Sequence, residues 1–128
     1  MDRLAMFMRF QTFAFLAYAI GWFLLPDFVN DTVFGWDTET FWPRLMGAGF
    51  FAIAWGEWKV IERLPERMDL VWMFVGIPLG LLVALLWERL ADSYTGSELF
   101  WWVSVAVTAV FGIGLAVLRS GADQEATV

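Results

Sequence analysis

Two stretches of this chain most restrict what it can fold into. Residues 70–87 carry no charged, hydroxyl or amide side chain, and residues 99–118 are interrupted only by Ser104 and Thr108. A helix rises 1.5 Å per residue and the hydrocarbon layer is about 30 Å thick, so apolar runs of about 18 to 20 residues match a bilayer-crossing helix. Two further runs are long enough but less clean. Residues 4–25 include Arg9, Gln11 and Thr12, and residues 44–64 include Glu57, Lys59, Glu62 and Arg63 toward the end. The composition agrees with lipid as the solvent. The chain is 60% hydrophobic and 17% charged, against roughly 25% charged in ordinary globular domains. The sequence therefore predicts an all-α, integral membrane four-helix bundle, with helices near 4–25, 44–64, 70–87 and 99–118 in one transmembrane domain covering 1–128.

The connections support this count. Pro26 and Pro65 follow the first and second runs, and a polar stretch, 92–97, separates the third from the fourth. Short connections imply antiparallel neighbours. The longest, 26–43, mixes aromatic and acidic residues and reads as interfacial, with a short helix over 27–34 ended by Gly35. Ala17-Tyr18-Ala19 fits a small-x-small cleavage pattern, but Arg9 interrupts the apolar region a signal peptide needs, so the segment is expected to stay as the first helix.

Orientation follows from Lys and Arg, which remain on the cytoplasmic side. With the N-terminus inside, Arg3, Arg9, Lys59, Arg63, Arg67 and Arg119 are cytoplasmic, and only Arg44 and Arg89 lie outside. This predicts an N-in/C-in, multi-pass protein of the plasma membrane with both termini cytoplasmic. Tryptophan gives an independent check, since indole favours the headgroup level. Trp22, Trp36, Trp42, Trp87, Trp101 and Trp102 fall at the outer boundary, and Trp55, Trp58 and Trp72 near the inner one.

Within lipid, helices associate through close backbone approach at small residues. Stripes at spacing four occur in every run: Ala17 and Gly21; Ala48, Ala52 and Gly56; Gly76 and Gly80; Ser104, Thr108, Gly112 and Ala116. They are expected to pack mainly within the chain, while one remains available for a membrane-protein partner or a homo-oligomer. Pro78, between Gly76 and Gly80, removes a backbone donor, which predicts a kink in the third helix and a place where a cavity could open.

The inventory excludes much chemistry. With no Cys and no His, thiol nucleophiles, zinc fingers, His-ligated haem and Ser-His-Asp triads are ruled out. A net charge of −6 with no basic stripe disfavours nucleic acid. Neither a phosphate-cradling glycine loop nor an intramembrane acidic pair is present, so no enzyme activity, catalytic residue, metal or cofactor is expected. The polar residues singled out are Arg9, Gln11 and Glu57. Counted from the outer boundary, Arg9 and Glu57 both lie about 22 to 24 Å deep. They are expected to form an ion pair near the cytoplasmic leaflet with Gln11 beside it, either structural or serving a relay or ligand. The charges from Lys59 to Arg67 read as a solvated, self-paired helix end. Asp27, Asn30 and Asp31 could converge on a cation, but lack the ligand set of a calcium loop.

The segment Pro43-Arg44-Leu45-Met46-Gly47-Ala48-Gly49, together with the four-helix layout, resembles the DoxX-like and related small four-helix membrane proteins. The resemblance implies the architecture. Some members of that family are associated with quinone-linked oxidation of sulfur compounds. No active-site residue is carried over, because the chain has no Cys. The function expected is a noncatalytic accessory or interaction component of a membrane complex. The alternative is a binder or transporter of a lipophilic small molecule, a quinone or lipid, near the Pro78 kink.

Overall fold

A computed structural model describes residues 2–34, 41–91 and 97–127. It is all-helical, with no strand among the described residues. Four long helices dominate: α1 (Asp2–Leu24), α2 (Phe41–Glu62), α3 (Val71–Leu90) and α4 (Glu98–Thr127). The predicted spans fall inside these bounds apart from a few end residues. The largest difference is α4, which continues past Arg119 through Ser120 and Gly121 rather than stopping near residue 118. The short helix expected over 27–34 is present as a turn at Pro26–Phe28 that widens into a π-helix over Val29–Phe34. The terminating Gly35, Trp36 and most of the 92–97 connection lie outside the described residues. Between α2 and α3 the chain passes a cis Leu64–Pro65 peptide and a 3₁₀ turn at Met68–Leu70.

Contacts along the helices establish antiparallel packing. Going up α1 from Phe15 to Phe23, the partners on α2 run backward from Phe50 to Gly47. On the other pair, Leu79 meets Gly112, Trp101 Nε1 donates to Leu85 O at 3.2 Å, and Arg119 Nε donates to Met68 O at 2.9 Å. α1 packs most extensively on α2, and α3 on α4. The two pairs meet where Phe7 touches Gly114 and Phe111, and where Tyr18 bonds Ser104. Two buried clusters result. One holds Leu4, Met8, Val60, Ile61, Phe74 and Leu115 at the end bearing the N-terminus, and the other holds Phe15, Ala19, Trp22, Val29, Phe50 and Ala54.

Among the described residues, three helices are long and apolar enough to cross a membrane: Asp2–Leu24, Met68–Leu90 and Glu98–Ala122. α2 has the length but carries Arg44, Glu57, Lys59 and Glu62. Much of the outer surface is apolar, with Phe10, Phe13, Trp55, Val83, Trp87 and Val117 among its exposed side chains. A soluble protein rarely exposes contiguous apolar area on this scale, which points to lipid around the helices.

The small-residue stripes pack less uniformly than expected. On α4, Ser104 and Thr108 are buried, and Gly112 lies against Leu79. Ala17, Ala48, Ala52, Gly76 and Gly80 are instead exposed. The remaining interfaces are filled by Phe15, Phe50 and Phe74, whose bulk holds the helices apart except at chosen points. The closest approach to a neighbouring backbone is at Gly47. A Cβ there would sit 2.8 Å from Phe23 N and 2.9 Å from Ala19 O, both backbone atoms that no side-chain rotation can move. Gly47→Ala is therefore expected to cost about 1–3 kcal/mol through forced separation of α1 and α2. Gly49→Ala, with nothing within 4 Å of the added carbon, should be neutral or slightly stabilising. Thermal melts of the two variants in detergent check the contrast.

Candidate functional site

The sequence marked Pro78 as a backbone irregularity and Gln11 as a stray polar group, and the structure joins them. Proline has no N–H, so the carbonyl four residues earlier, that of Phe74, loses its helical donor. Gln11 Nε2, projecting from α1, donates to Phe74 O at 2.8 Å. The amide orientation follows from chemistry, since a carbonyl can only accept and the side-chain nitrogen must face it. Phe74 is 1% exposed, and in a buried setting the freed carbonyl requires such a partner. α3 accordingly runs as one helix from Val71 to Leu90 through Pro78.

Pro78 also walls a cavity of about 190 Å³ between the two helix pairs. Every long helix contributes: Phe15 and Tyr18 from α1, Phe50 from α2, Leu81 from α3, Val107 and Phe111 from α4. The wall is almost entirely carbon. Its polar members are Gln11, Tyr18, Ser104 and Thr108, with Glu88 at one end. Tyr18 Oη and Ser104 Oγ share a hydrogen bond at 3.1 Å, and Thr108 Oγ1 donates to Ser104 O at 2.8 Å. The cavity opens outward where Met46 and Ala84, on its rim, are exposed. A second, more open groove of about 500 Å³ lies between α1 and α2, lined by Phe13, Phe51, Trp55 and Trp58.

The other singled-out residues do not assemble as expected. Glu57 is wholly buried, at 0% exposure, whereas Arg9 is exposed, and no ion pair joins them; among the described residues the salt bridges are Lys59–Glu62 and Arg89–Glu98. Equal depth did not imply facing sides: Arg9 lies on the outer surface of α1, while Gln11 and Thr12 turn inward. Thr12 stands beside the Glu57 carboxyl. Its hydroxyl donates to Met8 O at 3.0 Å instead, and both Glu57 carboxyl oxygens are buried without a hydrogen-bond partner. Gly76 and Gly80 face outward with nothing within 4 Å of an added Cβ. Asn30 is buried at 2% while Asp27 and Asp31 stay exposed, so the three oxygens do not converge on a cation.

Among the described tryptophans, Trp42, Trp55, Trp58, Trp72, Trp87 and Trp102 are exposed, whereas Trp22 and Trp101 are each 4% exposed. Trp22 walls the cavity, and Trp101 packs beneath the Arg89 guanidinium at 4.6 Å. Reading from sequence missed Tyr18, Ser104 and Thr108 as cavity residues. The signal available was that Ser104 and Thr108, one turn apart, were the only hydroxyls in an otherwise apolar run. No protein family, curated protein or solved structure matches this chain.

Proposed function

We propose that this chain is a noncatalytic integral membrane protein that binds a lipophilic small molecule between its helices. All four long helices cross the plasma membrane as a bundle, with both termini cytoplasmic. α2 is the fourth span: it lies antiparallel along α1, its Glu57 is buried, and Leu45, Met46, Phe51 and Trp55 are exposed on its outer side. The observation that carries the binding role is the apolar cavity of about 190 Å³ walled by all four helices beside Pro78. Cavities lined by carbon take apolar ligands. The resemblance of residues 43–49 to DoxX-like proteins supports the same architecture, and Gly47 within that segment makes the tight α1–α2 crossing.

Native mass spectrometry of protein extracted in mild detergent tests the role. A stoichiometric small molecule is expected on the wild-type monomer and its loss in Val107→Phe, which fills the cavity. A bare monomer in both would end the reading. The accessory-component reading is favoured by a separate observation, the exposed Gly76 and Gly80 face of α3, a spacing that suits close contact with another helix. A ligand-free dimer or hetero-complex in the same spectra would favour it. Topology is directly testable because the chain has no cysteine. Asp27→Cys should react with a membrane-impermeant maleimide in intact cells and Ser120→Cys only after lysis; the opposite pattern would invert the orientation.

A further inference from the structure

We propose that the groove between α1 and α2 holds one anionic glycerophospholipid of the cytoplasmic leaflet, with an acyl chain along Phe13, Phe51 and Trp55 and the phosphodiester on the Arg9 guanidinium. The site is separate from the cavity beside Pro78. It rests on the membrane placement given above and not on the ligand of that cavity.

An exposed charge sets the requirement. Arg9 lies on the outer surface of α1 among the exposed side chains of Met6, Phe10 and Phe13. No carboxylate among the described residues pairs with it. A charge facing hydrocarbon is costly and draws whatever counter-ion its surroundings offer. Arg9 lies about 22 to 24 Å from the outer boundary of a roughly 30 Å layer, so its stem reaches toward the cytoplasmic headgroups. The anion at that level is the lipid phosphate, which a guanidinium can hold through two parallel N–H bonds.

The groove supplies the rest of a lipid's contacts. On α1 it is lined by Thr12, Phe13 and Leu16. At 3.6 residues per turn these three and Arg9 fall within an arc of about 100°, with Arg9 one turn nearer the N-terminus. On α2, which runs the other way, the lining ends at Trp58. Lys59 follows it, its ammonium 5.1 Å from the centroid of the Trp55 ring and 3.3 Å from Glu62. Both basic residues therefore stand at the same end of the groove. Glu62 offsets Lys59, which leaves Arg9 as the surplus positive charge. From Phe51 to Trp58 the groove follows α2 for about 10 Å, most of the ~15 Å of hydrocarbon in one leaflet. A free phosphate would leave these apolar walls without a partner, and a plain hydrocarbon would leave Arg9 without one. A phospholipid with a net negative headgroup satisfies both.

Native mass spectrometry of the delipidated full chain in mild detergent, titrated with palmitoyl-oleoyl phosphatidylglycerol or with its phosphatidylcholine counterpart, tests the assignment. Wild type is expected to bind one phosphatidylglycerol about fivefold more tightly than phosphatidylcholine, the ratio set by one basic residue near an anionic headgroup. Arg9→Gln should lose that preference and Arg9→Lys should keep it. Arg44→Gln, which removes an equal charge at the opposite end of α2, should leave it unchanged. Ala52→Phe, which fills the groove from an exposed position, should abolish binding of the lipid, whereas Val107→Phe should not. Equal affinity for the two lipids, or a preference that survives Arg9→Gln, would overturn the phosphate assignment while leaving the cavity's role standing. Loss of the lipid in Val107→Phe would place it in the cavity instead. Displacement by an equal concentration of glycerol 3-phosphate would show a free-phosphate site, and a dimer that excludes the lipid would show that the groove receives a second copy; either result would overturn the proposal.

Discussion

Gln11→Leu is expected to lower stability by about 2–3 kcal/mol in the wild-type chain and by much less in a Pro78→Ala background. The expectation follows from a single carbonyl. Phe74 O sits where the N–H of residue 78 would normally reach it, and the proline ring has none to give. Gln11 Nε2, at 2.8 Å, takes the place of that donor from a neighbouring helix. Deleting the amide leaves a buried acceptor bare, which costs the desolvation of the group rather than the smaller net value of a hydrogen bond. Pro78→Ala restores the within-helix bond, so the same deletion then removes a contact the carbonyl no longer needs. The double-mutant cycle should show a coupling of about 1 kcal/mol or more, measured by thermal or denaturant unfolding in one detergent. Additive costs would mean that Gln11 stabilises the fold independently of Pro78. The prediction also explains why a proline is tolerated in the middle of α3: the break in the ladder is filled from α1.

That partnership marks the limit of what was legible in the sequence. The helices were, because an apolar run such as 70–87 marks its helix in composition alone. The hairpin order followed from Pro26, Pro65 and the polar stretch 92–97. Side-chain facing was harder. Arg9 and Glu57 were placed at equal depth by counting residues, yet depth is one coordinate, and the angle around each helix axis decides contact. The chain is apolar on nearly all sides of its helices, so the usual contrast between a wet face and a dry face, from which that angle is read in soluble proteins, is absent. The same weakness affected the small-residue stripes. Gly76 and Gly80 have the spacing of a packing face and are exposed, while Gly47, outside any stripe named from the sequence, makes the tightest crossing. The cavity depends on four helices at once, so Pro78 marked its place while its walls on the other helices had no signature beyond the hydroxyls Ser104 and Thr108.

The two helix pairs explain where the cavity lies. Within each pair the packing is continuous: Gly47 lets α1 and α2 approach, and Gly112 receives Leu79 between α3 and α4. Between the pairs, contact runs through the Phe7–Phe111 edge-to-face pair, 5.4 Å between centroids, the Gln11–Phe74 hydrogen bond, the Tyr18–Ser104 hydrogen bond and the buried cluster around Met8, Phe74 and Leu115. Space is left beside these contacts, and Pro78, Phe15 and Val107 line it.

Glu57→Met is expected to stabilise the protein, by about 1–3 kcal/mol. Both carboxyl oxygens of Glu57 are buried without a partner, and the residue is 0% exposed. In either protonation state such a group has given up water and received nothing equivalent, and burial of an unsatisfied polar group costs on this order. Methionine is unbranched, of similar length and flexible enough to follow the same path between α1 and α2. The sign distinguishes this arrangement from the ion pair that the sequence suggested: breaking a buried pair by removing one partner is strongly destabilising. The corresponding cycle is equally sharp. Because Arg9 is exposed and makes no contact with Glu57, Arg9→Gln and Glu57→Gln should act additively within about 0.5 kcal/mol. Exchanging the two residues should be severely destabilising, since it would bury a guanidinium where no acceptor awaits it. A loss of stability in Glu57→Met, or a coupling well above that limit, would show that the carboxyl is held by a partner. A gain would show that Glu57 occupies its position at a cost to the fold, which selection for stability alone would not maintain.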